Sequence, residues 1–379
     1  MALTKIRLGD YIERSTSNNK DLKYGTDLIT GVTNEGIFTS PKGNPEGVDL
    51  RPYKIVNNGA FVYNPTRLDL GSIAYRTEGL CIVSHLYIVF YLNDNGKKII
   101  DPQYLFIYFR RKEFCREVTF RNFGSQRPEF SFNDMSDIEI PLPPYPVQQK
   151  YVDIYNAMLA NQQSYEHGLA DLKLVCESYI DTLRKKAPLQ KLGNYITLCD
   201  RTNADLKYSV ADVQGISIEK KFIDTKANME GVSLAPYAVV EPNEFAYVTV
   251  TSRNGGKISL ARNSSSHAYI CSSSYVVFKI INTKKLLPEY LSMLFERREF
   301  DRYARFHSWG SARETFDWDE MCCVEIPVPD IKIQQDIVDI FKAYNARKEI
   351  AEKLKAQIQN ICPILIKGSI EEGMRTNEA

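Results

Sequence analysis

Histidine is scarce, with four in 379 residues, and His85, His167, His267 and His307 share no spacing or acidic context that would repeat as a metal or catalytic set. No stretch of roughly 18 apolar residues runs without charge, which excludes an ordinary membrane helix. The N-terminal `MALTKIRLGDYIERS` carries charges where a secretory signal needs an apolar centre. A soluble, cytoplasmic protein with no membrane partner is the expectation. The eight cysteines, Cys81, Cys115, Cys176, Cys199, Cys271, Cys322, Cys323 and Cys362, lack CxxC spacing and read as reduced, mostly buried thiols. Net charge is only +1, so a strongly basic polyelectrolyte is excluded while local basic patches are not.

Enzyme signatures are missing too. There is no GxGxxG after a strand for a dinucleotide and no GxxxxGK[ST] for a nucleotide phosphate. The stretch `LPPY`, Leu142 to Tyr145, has the outline of an amino-methyltransferase motif, but that chemistry needs an Asn or Asp oxygen to accept from the target amine. Leu142 offers none, and the later copy reads `VPDI`. `VPDIK` lacks a second carboxylate for a nuclease. The expectation is a non-catalytic chain that binds no cofactor and no metal.

What the sequence does contain is itself, twice. `LGDYI` at Leu8 recurs as `LGNYI` at Leu192, an offset of 192 − 8 = 184. That offset also joins `DLKY` at Asp21 to `DLKY` at Asp205, Gly31 to Gly215, and `GVDLRPY` at Gly47 to `GVSLAPY` at Gly231. It becomes 188 between `YIVF` at Tyr87 and `YVVF` at Tyr275, so the second copy carries about four extra residues near `SRNGGKISLARNSSS`. It settles at 186 from Pro102 and Pro288 to Gln148 and Gln334, across `GSQRPEFSFNDMSDIEIPLPPYPVQQ` and `GSARETFDWDEMCCVEIPVPDIKIQQ`. A whole domain is duplicated. Each copy alternates short β-rich runs with Gly, Asn and Pro turns, then turns helical at `DPQYLFIYFRRKEFCREV`, so each reads as α+β with a late helix.

Each copy ends in a longer helical pattern. Tyr155, Gln162, Leu169, Cys176 and Leu183 stand seven apart, interleaved with Tyr151, Met158, Tyr165, Leu172 and Tyr179. Near the end, Ile337, Tyr344, Ala351, Ile358 and Leu365 alternate with Ile340, Arg347, Leu354 and Ile361. A 3.5-residue period favours two helices packing on each other, as an antiparallel coiled coil with pseudo-two-fold symmetry, over each packing on its own domain. The first helix, about 38 residues, would be roughly 57 Å long, and Pro363 should kink or shorten the second. The expected layout is domain 1–146, spacer helix 147–187, domain 188–332, spacer helix 333–368 and tail 369–379.

The duplicated `IPLP…QQ` and `IPVP…QQ` junctions, the Gly-Ser-x-Arg loop ahead of each and the long helix after each resemble the specificity subunit (HsdS) of type I restriction-modification systems. The resemblance covers essentially the whole chain. It implies two target recognition domains, each reading one half of a split, asymmetric sequence in double-stranded DNA. It further implies helical spacers that dock two modification subunits, which use S-adenosylmethionine, and a larger assembly with restriction and translocase subunits that use ATP and Mg2+. A stand-alone bipartite DNA-binding protein or repressor is the alternative.

Affinity for DNA comes largely from Lys and Arg at phosphates, and specificity from donors and acceptors at base edges. `FRRKEFCREVTFRNFGSQR` and `FERREFDRYARFHSWGSAR` concentrate both kinds of group. Candidate DNA-binding residues are Arg67, Arg116, Arg121, Gln126 and Arg127 in the first copy, and Arg253, Asn254, Arg302, Arg305 and Arg313 in the second. Arg can pair bidentately with guanine and Gln with adenine. The competing reading of Arg127 and Arg313 is that they cap a helix end and hold the joint.

Overall fold

Strands form where aromatic and β-branched residues alternate, because successive side chains of a strand point to opposite faces. The computed structural model describes residues 5–41, 43, 45–122, 129–251, 256–311 and 313–376. They divide into two units, residues 1–166 with 349–379 and residues 167–348. In the first, an antiparallel sheet runs in the order Ile12–Arg14, Ile88–Leu92, Phe61–Tyr63, Ile73–Tyr75. Phe61, Tyr63, Ile73, Ile88 and Phe90 face one core, while Val62, Ala74 and Val89 face a second.

The second unit repeats this design. Its sheet runs Ile196–Leu198, Tyr275–Ile280, Phe245–Val248, Leu260–Arg262. Phe245, Tyr247, Leu260 and Phe278 face the helical core, with Ala246 and Val277 on the other side. Ring stacking is duplicated as well, Phe61 on Phe90 at 5.0 Å and Phe245 on Phe278 at 5.1 Å. The length difference between copies arises in three places, one of them a single residue gained before the strand Tyr269–Cys271, since 269 − 81 = 188. Between the strands at Phe61 and Ile73 the second unit gains three residues, since 260 − 73 = 187 against 245 − 61 = 184. After the sheet, the first unit alone has a one-turn helix, α1 (Gly96–Ile99).

The expected single late helix is two in each unit: α2 (Pro102–Phe109) and α3 (Lys112–Arg121), then a short α4 (Phe132–Ser136) before the long helices. Arg111 adopts an extended backbone conformation, which ends α2 and serves as the N-cap of α3. The long helix after the first domain is also two pieces, α5 (Tyr145–Glu166) and α6 (Leu169–Lys186). Gly168 breaks it, with φ +77° in the left-handed region. The interruption changes the helical phase, so the expected seam residue Tyr179 is 43 % exposed and Ile180 is buried in its place.

In the second unit the corresponding elements are α7 (Pro288–Phe295), α8 (Arg298–Phe306) and α9 (Trp318–Cys323), followed by α10 (Ile331–Thr376). Pro363 sits inside α10 without ending it, and the stretch from 369, expected as a tail, is helical to Thr376. Ser369 is fully buried and shares a 2.7 Å hydrogen bond with Tyr104. These contacts explain why the helix continues, because the packed face outweighs one lost backbone bond.

Antiparallel pairing of the helices holds within each unit. In the first, Lys150 near the start of α5 reaches Glu372 near the end of α10 at 2.8 Å, and Tyr155, Ile358, Cys362 and Leu365 share one core. In the second, Ile180 of α6 packs in one core with Ile337 and Val338, and Arg347 donates to the His167 carbonyl at 3.4 Å. Of the expected seam, Tyr155, Ile337 and Ile358 are buried, while Met158, Tyr165, Leu169, Leu172, Tyr344, Leu354 and Ile361 are half-buried. The helices also pack on the sheet domains, so both packing modes weighed from the sequence occur together. Among the described residues, no helix is long and apolar enough to cross a membrane.

Candidate nucleic-acid interface

The duplicated proline and glutamine junctions close each domain. Ile6 pairs with Ile140 between strands Lys5–Arg7 and Glu139–Pro141, and Gln190 pairs with Ile326 between Leu189–Lys191 and Glu325–Pro327. The chain thus leaves each domain beside the strand by which it enters. The first glutamine of each pair then locks the exit. Gln148 is fully buried, its amide donating to the Ile99 and Pro143 carbonyls at 2.8 Å each and its oxygen accepting from the Asp101 N–H at 2.9 Å. Gln334 makes the same three bonds, to Lys285, Pro329 and Leu287. Leu142 is half-buried against the first core, so the `LPPY` stretch is a packed joint.

The basic residues separate into structural and surface groups. Arg110 donates to the Gly71 and Asn34 carbonyls, and Arg111 lies 3.7 Å over the Tyr108 ring. Arg297, 10 % exposed, pairs with Asp181 at 2.6 Å and Glu299 at 3.2 Å. These three hold the helices in place. By contrast α3 buries Phe114 and Val118 and turns Lys112, Arg116 and Phe120 outward, while α8 buries Phe300 and Ala304 and turns out Arg298, Arg302, Arg305 and Phe306. Arg116 and Arg302 each make an exposed i,i+3 pair, with Glu113 at 3.1 Å and Glu299 at 3.3 Å. Such pairs contribute little and yield readily to a phosphate. Arg121 is more enclosed, bonded to Glu117 at 2.8 Å.

Two loops nominated separately in the sequence meet in each unit. In the second, Trp309 and Thr315 exchange backbone bonds of 3.0 and 2.9 Å, making a tight turn that exposes Ser311 and Arg313. Gly310 has φ +138°, and a Cβ there would run into the Arg313 carbonyl oxygen. The turn is strapped to the sheet by Phe316 N–H to Thr249 O at 2.8 Å and Thr251 N–H to Glu314 O at 3.0 Å. Arg305 pairs with Glu314 at its base. Thr251 is buried with its hydroxyl on Ser308 at 2.9 Å, so it is a strut. Arg253 and Asn254, which follow it, lie outside the described residues.

The first unit has the equivalent strap, Phe130 N–H to Pro65 O at 3.0 Å, reinforced by Tyr63 Oη to Phe130 O at 3.2 Å. Next to it stands Arg67, exposed before the short turn Leu68–Leu70. Gln126 and Arg127 lie outside the described residues. Arg313 is exposed on the turn, and the ion pair at the turn's base is made by Arg305.

Sequence reasoning missed several supports of this surface. His307 Nδ1 lies 3.0 Å from Glu320, and its ring stacks on Tyr303 at 4.2 Å. The first unit has the Glu117–Arg121 ion pair at the corresponding positions, since 303 − 117 = 186 and 307 − 121 = 186. Unlike residue types filling one role leave no sequence signal. Burial raises the Tyr303 hydroxyl above its ordinary pKa. Among the described residues no group of three His, Cys, Asp or Glu side chains could hold a metal ion. All eight cysteines are free. The surface is an array of hydrogen-bond donors and cations held on rigid elements.

A family described as type I restriction modification DNA specificity domain matches residues 4–171 and 220–360. No curated protein matches. Among solved structures, the type I restriction-modification S subunit from M. genitalium is 10 % identical with a TM-score of 0.60, covering 98 % of this chain and 96 % of that one. The HsdS subunit from Thermoanaerobacter tengcongensis is 16 % identical with a TM-score of 0.42, covering 97 % and 96 %. A chain from a study of type I R-M complex assembly and conformational transition is 16 % identical with a TM-score of 0.47, covering 97 % and 98 %.

Proposed function

This chain belongs to the type I restriction modification DNA specificity family, and from that premise we propose that it reads a split, asymmetric target in double-stranded DNA. Each unit reads one half-site, and the paired helices carry two modification subunits. The observation that carries this reading is the repeated meeting of two loops beside a cationic helix. In each unit the loop after α3 or α8 is bonded to the sheet segment where the copies differ most in length and side chains. One frame with two different surfaces suits two different half-sites.

The chain itself acts as reader and scaffold. Methyl transfer from S-adenosylmethionine belongs to the modification subunits, and ATP- and Mg2+-dependent work to the restriction and translocase subunits. The test is co-expression with the subunits encoded beside this chain, followed by genome-wide mapping of adenine methylation. A split motif that appears only with this chain supports the reading. Active partners that methylate no split motif would defeat it, and tight sequence-specific binding by the chain alone would favour a stand-alone regulator.

A further inference from the structure

Four non-glycine residues among those described hold a left-handed backbone: Leu22 at φ +50°, Leu206 at +54°, Lys220 at +58° and Asn243 at +68°. Asparagine tolerates that region, and Asn243 also accepts a bond from Arg262. Lys220 is held there by bonds from its ammonium to Asp301 and the Ile258 carbonyl. The two leucines are left, at equivalent places of the repeat, since 206 − 22 = 184. Both belong to `DLKY`, and both are exposed, by 56 % and 63 %. Leucine is disfavoured in this conformation, because its Cβ crowds the following carbonyl, whereas glycine or asparagine is not.

The fold accounts for the backbone of these loops, where the Leu22 and Leu206 N–H groups close turns on the Asn19 and Asn203 carbonyls at 2.9 Å each, and not for the choice of an exposed leucine side chain there. Asn19 and Asn203 are buried, and their side-chain amides brace the loops through the backbones of Tyr24 and Tyr208 at 2.9 to 3.1 Å. Lys23 and Lys207 lie over those tyrosine rings at 5.6 and 5.3 Å. Two rigid loops therefore display the same exposed leucine at a conformational cost. Surfaces meant for different half-sites differ between the units, so a surface kept identical serves a ligand common to both. Asp21 and Asp205 stand exposed beside the lysines and leave the shared Asp-Leu-Lys without net charge, so what the two units have in common offers DNA phosphates little, Lys20 before it in the first unit having Ala204 as its counterpart. An apolar pocket on a protein gains from burying leucine.

We propose that Leu22 and Leu206 are twin docking points, each entering an apolar pocket on one copy of the same protein, the modification subunit. This rests on the proposed function and adds a contact on each reading domain, apart from the paired helices. The test uses the full chain co-expressed with the modification subunit encoded beside it, comparing wild type with Leu22→Asn, Leu206→Asn and the double variant. Asparagine keeps the backbone conformation, so thermal stability should hold or rise. Each single variant should bind one subunit normally and the other about tenfold or more weakly, read by native mass spectrometry and titration, with non-specific DNA affinity unchanged. A double variant that binds two subunits at wild-type affinity overturns the inference alone. So does a loss confined to DNA affinity, which would turn the leucines toward DNA. Wild type that recruits no modification subunit overturns the proposed function, and with it this inference, before any variant is made.

Discussion

Arg110 in the first unit and Lys220 in the second donate to backbone oxygens at matching places, Gly71 at 2.5 Å and Ile258 at 2.8 Å, from opposite sides. Arg110 comes from the end of α2, where the second unit has Glu296. Lys220 comes from the tip of a hairpin, where the first unit has Gly36. A Cβ on Gly36 would lie 2.7 Å from the Ile73 carbonyl oxygen and 3.1 Å from the Arg110 guanidinium, so the glycine lets the hairpin tip pass close to the strand with the arginine beside it. Each unit thus fastens its hairpin with one cation, and the copies have exchanged its source.

In the second unit the latch is a buried ion pair. Lys220 lies 2.6 Å from Asp301, which also accepts from the Ile258 N–H at 3.1 Å, and burial holds the lysine below its ordinary pKa. Lys220→Met leaves Asp301 buried without its counter-ion, and should cost about 3–5 kcal/mol. The loss should fall on the second unit, read as faster hydrogen exchange there. Replacing both partners, Lys220→Met with Asp301→Leu, should recover most of it. A single variant costing less than about 1 kcal/mol would show that the pair holds nothing.

Such latches explain what the sequence could and could not reveal. Duplication, strand alternation and the heptads at Tyr155, Ile337 and Ile358 follow from periods that backbone geometry imposes, and each is readable from spacing. The break at Gly168 is a local event that one glycine on a polar helix face does not announce. Arg110 and Lys220 do one job from unrelated positions, and Arg121 and His307 do one job at a matched position with unlike side chains. Alignment of the two copies therefore conceals them. At the candidate interface, the two loop segments could be named from the sequence, but their meeting rests on long-range bonds such as Phe130–Pro65, Phe316–Thr249 and Thr251–Glu314, which spacing does not reveal.

The glutamine joints yield a sharper contrast. Gln148 is buried with three backbone partners, and Gln149 beside it is exposed. Gln148→Leu removes one acceptor and two donors from groups that water cannot reach, and should cost about 3 kcal/mol, whereas Gln149→Leu should be near neutral. Exchange of the Asp101 amide, protected by the Gln148 oxygen, reports the joint directly. Gln334→Leu should expose the Leu287 amide in the same way. Equal stability of the Gln148 and Gln149 variants would remove the joint's assigned role.

The thiols carry a pH dependence with a definite sign. Burial pushes Cys271 up to about 12 and Cys362 up to about 11. A folded pKa above the unfolded value, here 9.0, means stability that is complete below pH 9 and lost as pH rises toward 11 or 12. Iodoacetamide at pH 8 should modify exposed Cys323 first and reach Cys271 and Cys362 only as the protein unfolds. Cys271→Ala should flatten the loss of stability between pH 9 and 12. Alkylation of Cys271 as fast as Cys323 in the folded protein would contradict its burial.

Arginines that hold the fold and arginines that face outward should part company in DNA binding. Replacing Arg298 and Arg302 of α8 by alanine removes exposed cations, and each phosphate left without its cation lowers the slope of log affinity against log salt by about 0.9. Arg116→Ala should do the same once in the first unit. Arg297→Ala should instead cost stability, because it frees Asp181 and Glu299 from a guanidinium only 10 % exposed. If the α8 variants weaken all sequences equally, these arginines lie along the phosphates. If Arg313→Ala changes the preferred letters of one half-site and leaves the salt slope nearly unchanged, the turn held by Gly310 reads a base. Salt slopes unaffected by every α8 variant would move the interface off this helix altogether.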